Sequence, residues 1–382
     1  MQVRTAARRI HLAGFSLIEL MVALALSGLI ALAAIASLSV ARQGFSSVDV
    51  SSQLRDNARF VTETIQRVAV QAAFQDASFA AASDLTGFTG LGGGGVTPNI
   101  LGANNQLLKI ASTTDTLLLG SDFVSRVGAS QGDSNCVGTA DTACSNGSDV
   151  LIVRYQTSAV APGSTVADGA MVNCAGLAET AVPTTANDRM TSVFHVAKPP
   201  NSAEPALMCS YFSRSDNTWK SEPLVEGVES FQVLYGLDGA VGAPNTAFTT
   251  VNPDGVADRF LNASQMVVAS DPDSAASYSN WMRVRSLRIG LVLRGPPRSA
   301  PVAAGTLSTR CPLGYLRPDL LIPQDLNGQP APIATDCIDP PSNGDSELTS
   351  QGSEFPRKGA LIDDDGRLRQ VITFTINVRN AQ

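Results

Sequence analysis

Few residues in this chain have both the type and the setting to do chemistry, and the first of them is a carboxylate. Glu19 stands near the head of an apolar run from Phe15 to Val40. A charge in such a place costs roughly 2.5–3.5 kcal/mol on insertion scales, so it implies a cationic partner more than a catalytic task. Beyond residue 14 the single histidine is His195. Its setting, Val193-Phe194-His195-Val196, reads as a strand with the ring half-buried. A serine or cysteine triad would have to use that ring, and no catalytic residue is assigned. Two acidic stretches, Asn252-Pro253-Asp254-Gly255-Val256-Ala257-Asp258 and Asp363-Asp364-Asp365-Gly366, set several hard oxygens around a glycine. That is the donor type calcium takes, which makes Asp254 and Asp258 the candidate metal ligands. Neither stretch spells an EF-hand, and Asp and Gly also simply make turns. No other cofactor is implied. The four glycines Gly92 to Gly95 lack the Gly-Lys-Ser/Thr that a phosphate cradle needs.

The elements that must carry these groups follow from periodicity. From Leu20 to Val40 no residue is charged. At about 1.5 Å per residue this makes a helix of roughly 31 Å, the thickness of a bilayer core. Arg4, Arg8 and Arg9 precede it, which leaves the leader cytoplasmic and sends the rest across. Past the span, Leu54, Ala58, Val61, Ile65, Val68 and Ala72 recur at alternating steps of four and three, while Arg55, Asp56, Arg59, Glu63 and Arg67 lie mostly off that stripe. The pattern predicts one helix from about Phe15 to Phe74, with Gly28 and Gly44 as its weak points.

After residue 75 the composition turns to that of a loop-rich β protein. Strands are expected at 116–119, 150–155, 192–196, 208–214, 228–235, 284–294 and 370–378. In Leu287, Ile289, Leu291 and Leu293, alternating with Arg288 and Gly290, the strand shows one buried face. The fold class is therefore α+β. Its divisions are a leader at 1–14, a span at 15–40, an amphipathic helix half at 41–75 and a β-rich body at 76–382, with a loop-rich insertion at about 296–360. Six cysteines, Cys136, Cys144, Cys174, Cys209, Cys311 and Cys337, all lie beyond the span. An even number on the exported side points to disulfides, since there is no CxxC and one remaining histidine to make a zinc site. Sequence order suggests Cys136 with Cys144, Cys174 with Cys209, and Cys311 with Cys337, among fifteen possible pairings.

The amino terminus, Arg8-Arg9-Ile10-His11-Leu12-Ala13-Gly14 followed by Phe15-Ser16-Leu17-Ile18-Glu19-Leu20-Met21, closely resembles the cleavage site of a type IV prepilin. An ordinary signal peptide cut near Ala36, or a twin-arginine signal, accounts less well for Glu19. The resemblance implies that prepilin peptidase cuts between Gly14 and Phe15, that Phe15 is N-methylated, and that Glu19 pairs with the terminal amine of a neighbouring subunit. Further on, Leu224 to Asp238, Asp254-Gly255, Asp258-Arg259-Phe260, Trp281, Val284 to Ile289 and the ending Arg367 to Asn380 resemble the PilW family of minor pilins. That resemblance implies a subunit of the inner membrane and then the pilus tip, whose partners are other minor pilins, the major pilin and a tip adhesin. The alternatives are a type II secretion pseudopilin and a membrane-anchored binding protein or enzyme. Loss of the leader's three arginines takes the formal net charge from −7 to −10. A broad nucleic-acid-binding surface is therefore not indicated.

Overall fold

The computed structural model describes residues 16–76, 98–103, 110–111, 118–119, 148–184, 188–199, 202, 204–213, 218–250, 252–269, 274–297, 299–300, 313 and 366–379. The chain divides into two compact units, Met1–Asp49 and Val50–Gln382. One helix, α1 (Leu17–Val70), runs through both. It stops at a turn where Ala73 takes a left-handed φ of 59° and donates its N–H to the Arg154 carbonyl. Gly28 and Gly44 lie within the helix without interrupting it.

In the second unit the expected stripe is buried. Leu54, Ala58, Val61, Ile65, Val68 and Ala72 all face the core. What they pack against is a pair of antiparallel sheets. The first has the order β1 (Ile100–Ala103), β4 (Val150–Tyr155), β5 (Met190–Ala197), β6 (Ala206–Ser213) and β7 (Thr218–Glu226). The second has the order β11 (Arg259–Leu261), β8 (Val228–Leu237), β12 (Val284–Arg294) and β13 (Arg369–Asn377). Two small ladders pair β2 (Ile110–Ala111) with β3 (Leu118–Leu119) and β9 (Ala240–Val241) with β10 (Thr249–Thr250). Two short helices, α2 (Ala263–Met266) and α3 (Ala275–Trp281), precede β12. Both sheets and the helix stripe share one hydrophobic cluster, with Phe194, Phe231, Tyr235 and Trp281 among its largest members.

Three departures from the sequence reading have physical causes. Strand β12 is buried on both faces along most of its length, since Val292 and Ser286 on the second face are as buried as the Leu287–Ile289–Leu291 face, and only Arg288 and the end arginines are partly exposed. Strand β7 was not anticipated, because it is the edge of its sheet and carries Lys220, Glu222 and Pro223. Proline and charge at an edge are what keep a sheet from pairing with another chain. His195 is fully buried, 1% exposed, where a half-buried ring was expected. It sits on β5, the central strand of its sheet, whose residues are buried on both faces. Its Nε2 lies 2.9 Å from the Ser210 hydroxyl, which in turn donates to the Ser221 hydroxyl at 2.9 Å.

The two sheets are joined at three places. β7 passes into β8 through the single residue Gly227, with φ +81°. A Cβ there would lie 2.6 Å from the Arg294 carbonyl oxygen. Backbone bonds fix the same residue on both sides, from Gly227 N–H to the Pro205 carbonyl and from Arg294 N–H to the Gly227 carbonyl, each 2.7 Å. Along the β11 side of β8, beyond the end of β11, the residues leading into β4 stand in for a strand. Asp149 donates its N–H to the Phe231 carbonyl at 2.7 Å, and its carboxylate accepts the Val233 N–H at 2.8 Å. The third joint is ionic. Glu229 of β8 takes a two-point contact from Arg369 of β13 at 2.7 and 3.1 Å and a bond from Arg294 of β12 at 3.1 Å. Arg294 continues to Glu204 at 2.9 Å, and Glu204 takes two bonds from Arg367 at 2.9 and 3.0 Å. Burial raises the Glu204 pKa, but the Arg367 hydrogen bonds and the Arg294 charge outweigh it and hold the group below the usual carboxylate value.

Two outcomes are expected from these contacts. Gly227→Ala forces a left-handed backbone on a residue with a side chain, which costs about 1–3 kcal/mol before the Arg294 contact is counted; an unchanged urea midpoint for the detergent-purified protein would contradict this. Burial lowers the His195 pKa to about 4. Below about pH 6.5 the unfolded chain takes a proton that the folded chain refuses, so this residue costs stability as pH falls from 6.5 towards 4, by up to about 3 kcal/mol. Comparing His195→Gln with wild type by denaturation at pH 7 and pH 4 isolates that share. The stability advantage of the wild type should shrink on acidification, and a pH-independent difference would sink the assignment.

Candidate functional site

The head of α1 is organised by its own side chains. Ser16 precedes the helix and its hydroxyl accepts the Glu19 N–H at 3.2 Å. The Glu19 carboxylate reaches back, and the same Oε2 accepts the Ser16 N–H at 3.0 Å and its hydroxyl at 3.1 Å. Leu20 N–H closes the first turn on the Ser16 carbonyl at 3.2 Å. Ser16-Leu17-Ile18-Glu19 is thus a reciprocal capping box, in which each side chain satisfies a backbone donor that the helix cannot. The sequence spells the motif, but reading Glu19 only as half of an intersubunit pair passes over it. The acidic residue also lies at the helix end where the macrodipole favours negative charge.

Past this cap the helix surface is apolar on every side. Leu17, Ile18, Leu20, Met21, Val22, Leu24, Leu26, Leu29, Ile30, Leu32, Ile35, Leu38 and Val40 are all more than half exposed. The helix is long and apolar enough to cross a membrane. Such a surface is stable only in lipid or against other apolar helices. Gly14 and Phe15, the residues of the expected cleavage and methylation, lie outside the described residues.

The remaining candidates separate clearly. Cys174 and Cys209 are joined in a disulfide, with Cα atoms 5.7 Å apart, which is the pairing that sequence order suggested. Cys136, Cys144, Cys311 and Cys337 lie outside the described residues. In the first acidic stretch one oxygen each of Asp254 and Asp258 accepts a backbone N–H, and the nearby Asp238 carboxylate binds the stretch itself. Asp238 accepts the N–H groups of Asp254 and Gly255 at 3.1 and 2.9 Å, Asp254 accepts the Val256 N–H at 2.9 Å, and Asp258 accepts the Gly239 N–H at 2.6 Å. Among the described residues no three His, Cys, Asp or Glu side chains come together as a metal-binding group. The contact between His195 and Ser210 has the atoms of a nucleophile and base, but both residues are fully buried and closed to a substrate. Gly128-Ala129-Ser130-Gln131-Gly132 has the spelling of a nucleophile elbow, and it too lies outside the described residues.

Sequence reasoning missed the buried ion chain through Glu204 and Glu229. Its signals were the single charged residue in the run Val228 to Leu237 and the alternation Arg367-Leu368-Arg369, which sends both guanidinium groups the same way at the start of a strand. The segments that carried the family resemblance turn out to be this joint. Glu226-Gly227-Val228-Glu229 makes the passage between sheets, Tyr235 stacks edge-on against Trp281 at 4.7 Å, and Arg367-Leu368-Arg369 closes the ion chain.

A family model described as type IV pilus-assembly protein W matches residues 193–314, and the prokaryotic N-terminal methylation motif matches residues 12–35. No curated protein matches the chain. Among solved structures, a type IV-like pilin from Thermus thermophilus is similar at 13% identity, covering 61% of this chain and 80% of that one with a TM-score of 0.22. The chain is thus similar to type IV pilus proteins at two places, at the methylation motif that opens α1 and across the pilus-assembly match at residues 193–314.

Proposed function

We propose that this chain is a low-abundance subunit of a tip or priming complex that starts type IV pilus assembly and so supports adhesion and twitching motility. The single observation behind this reading is the coincidence, in one chain, of the methylation motif at residues 12–35 with the pilus-assembly match at residues 193–314. The inner membrane holds the subunit by α1 before assembly, with the body on the periplasmic side. Prepilin peptidase cuts between Gly14 and Phe15, and the Phe15 amine is methylated. Lateral packing of apolar helices then brings the Phe15 amine of one subunit to the Glu19 carboxylate of another. Other minor pilins and the major pilin supply the neighbouring helices, and a tip adhesin is a further partner. The protein acts as a structural component and not as an enzyme.

The capping geometry suggests how one carboxylate serves both tasks. Oε2 is held by Ser16, which leaves the group aimed from a fixed turn of the helix, and its second oxygen can face an incoming amine.

Two measurements bear on this. The intact mass of the mature protein from a peptidase-competent strain should lack residues 1–14 and carry one methyl group; retention of those residues would end the prepilin reading. The substitution Glu19→Gln keeps a residue suited to the third position of a capping box but removes the charge. In a deletion strain complemented at matched protein level, Glu19→Gln should insert and form the Cys174–Cys209 bridge normally, yet give at least tenfold fewer surface pili and little twitching. Piliation equal to wild type would show that charge pairing does not drive assembly. Glu19→Ala, which loses the cap as well, should weaken the helix head further than Glu19→Gln does.

A further inference from the structure

The long connection between β4 and β5 is built as a rigid platform, and nothing in the assembly role described above uses it. Residues 158–168 form a small hairpin. Ala159 pairs with Ala167, Val160 donates its N–H to the Val166 carbonyl at 3.0 Å, and the tip closes through Ser164 N–H to the Ala161 carbonyl at 2.9 Å. A second hairpin follows, with Val172 opposite Ala178 and the turn held by Asn173, whose side-chain oxygen accepts the Ala175 and Leu177 N–H groups at 3.0 Å each.

The platform is pinned to the body at many points. Asp76 accepts the Ala159 N–H at 2.9 Å, Gln71 bonds both the N–H and the carbonyl of Val172 at 3.0 and 3.1 Å, and the Tyr155 hydroxyl donates to the same carbonyl at 2.6 Å. The Cys174–Cys209 disulfide fastens the second hairpin to β6. Yet the tips present apolar side chains to solvent, with Val160 59%, Val166 58% and Leu177 51% exposed. Val160 and Val166 are directly opposite across the hairpin, so their side chains share one face. Scattered exposed valines need no explanation, but neighbouring ones on a pre-ordered loop form a contact surface whose ordering entropy is already met.

The charge around the tips narrows the partner. From Gln156 to Asp188 there is no lysine or arginine, whereas Asp168, Glu179 and Asp188 are acidic. An anionic lipid surface or a nucleic acid attracts basic side chains, so neither suits this segment. We infer that the paired hairpin tips at 158–178 are a docking surface for another protein whose contact patch is apolar and edged by lysine or arginine. Apolar contact supplies the centre of that interface, and Asp168 and Glu179 supply its polar rim.

The test places the photo-crosslinker p-benzoylphenylalanine at Val160 or Val166 of the full chain in the producing cell, with Val256 as an exposed control elsewhere in the body. The expected result is a discrete protein adduct from both hairpin positions and not from the control, mapped by mass spectrometry to an apolar site flanked by lysine or arginine. The double reversal Asp168→Lys with Glu179→Lys should reduce the adduct at least fivefold, and the milder pair Asp168→Asn with Glu179→Gln by a smaller factor, with the protein level and the Cys174–Cys209 bridge unchanged on a non-reducing gel. No adduct above the control, an adduct to lipid, a mapped site lacking basic residues, or an adduct indifferent to both charge variants would overturn the inference. Normal piliation without the adduct would remove this surface and leave the pilin reading standing.

Discussion

The apolar surface of α1 between Leu17 and Val40 constrains everything else in the molecule. At roughly 25 cal/mol per Å² of apolar area, a helix bare on all sides cannot be left in water, and its large side chains are bare on all sides. Lipid satisfies it in one state and neighbouring helices satisfy it in another, and the two environments are nearly equivalent for a leucine. Transfer between them therefore costs little. The same equivalence means that the apolar surface provides almost no direction for that transfer. A polar group has to do so, and Glu19 is the one charge in the run. Its capping bonds to Ser16 keep it from being an unsatisfied group while it waits.

Beyond Val50 the helix answers a different demand. One stripe must be buried, and two sheets are held at a fixed relation so that they and the stripe form a single core. That relation rests on a short joint. Gly227 permits the turn, Asp149 ties the edge of β8 to the start of β4, and Glu204, just ahead of β6, binds Arg294 of β12 and Arg367 ahead of β13. A buried ion chain is not an efficient source of stability compared with apolar packing. It does give a geometric answer to which strand ends meet, because Glu229 with one arginine missing would leave a buried charge poorly paired. The cost of error is high, so the register of β8, β12 and β13 is sharply specified.

How much of this could be read from the residues depended on the range of each signal. The stripe from Leu54 to Ala72 was legible because its period is local, and the strands at 150–155 and 284–294 agree to the residue because runs of β-branched side chains end at turn residues. The bridge between Cys174 and Cys209 followed from order along the chain. Strand β7 was not legible, since Lys220, Glu222 and Pro223 belong to an edge that avoids the composition by which strands are recognised. Full burial of His195 was missed for the opposite reason. Alternation describes a strand with one wet face, and β5 has none. The ion chain could not be found at all from spacing, because Glu229 is 65 residues from Arg294 and 140 from Arg369. At the head of α1 the motif was in plain view, yet its local meaning as a cap was hidden by the stronger expectation of a partner in another subunit.

These two halves divide the work of recognition. Apolar helices of one length are close to interchangeable in a bundle, so the choice among similar neighbours cannot reside in residues 17–40. Specificity is a difference of affinities and needs surfaces on which a wrong partner loses something. The body has such surfaces on rigid supports: the exposed helix side with Arg59 paired to Glu63 at 2.8 Å, and the acidic, apolar-tipped hairpins fixed by Gln71, Asp76 and a disulfide. Exposed ion pairs contribute little affinity but make a like-charged neighbour unfavourable. Where apolar helices are interchangeable, that discrimination matters more than strong binding. The long connection between β4 and β5 is thus a reason for the body to be large: it carries selectivity that the helix, by its chemistry, cannot.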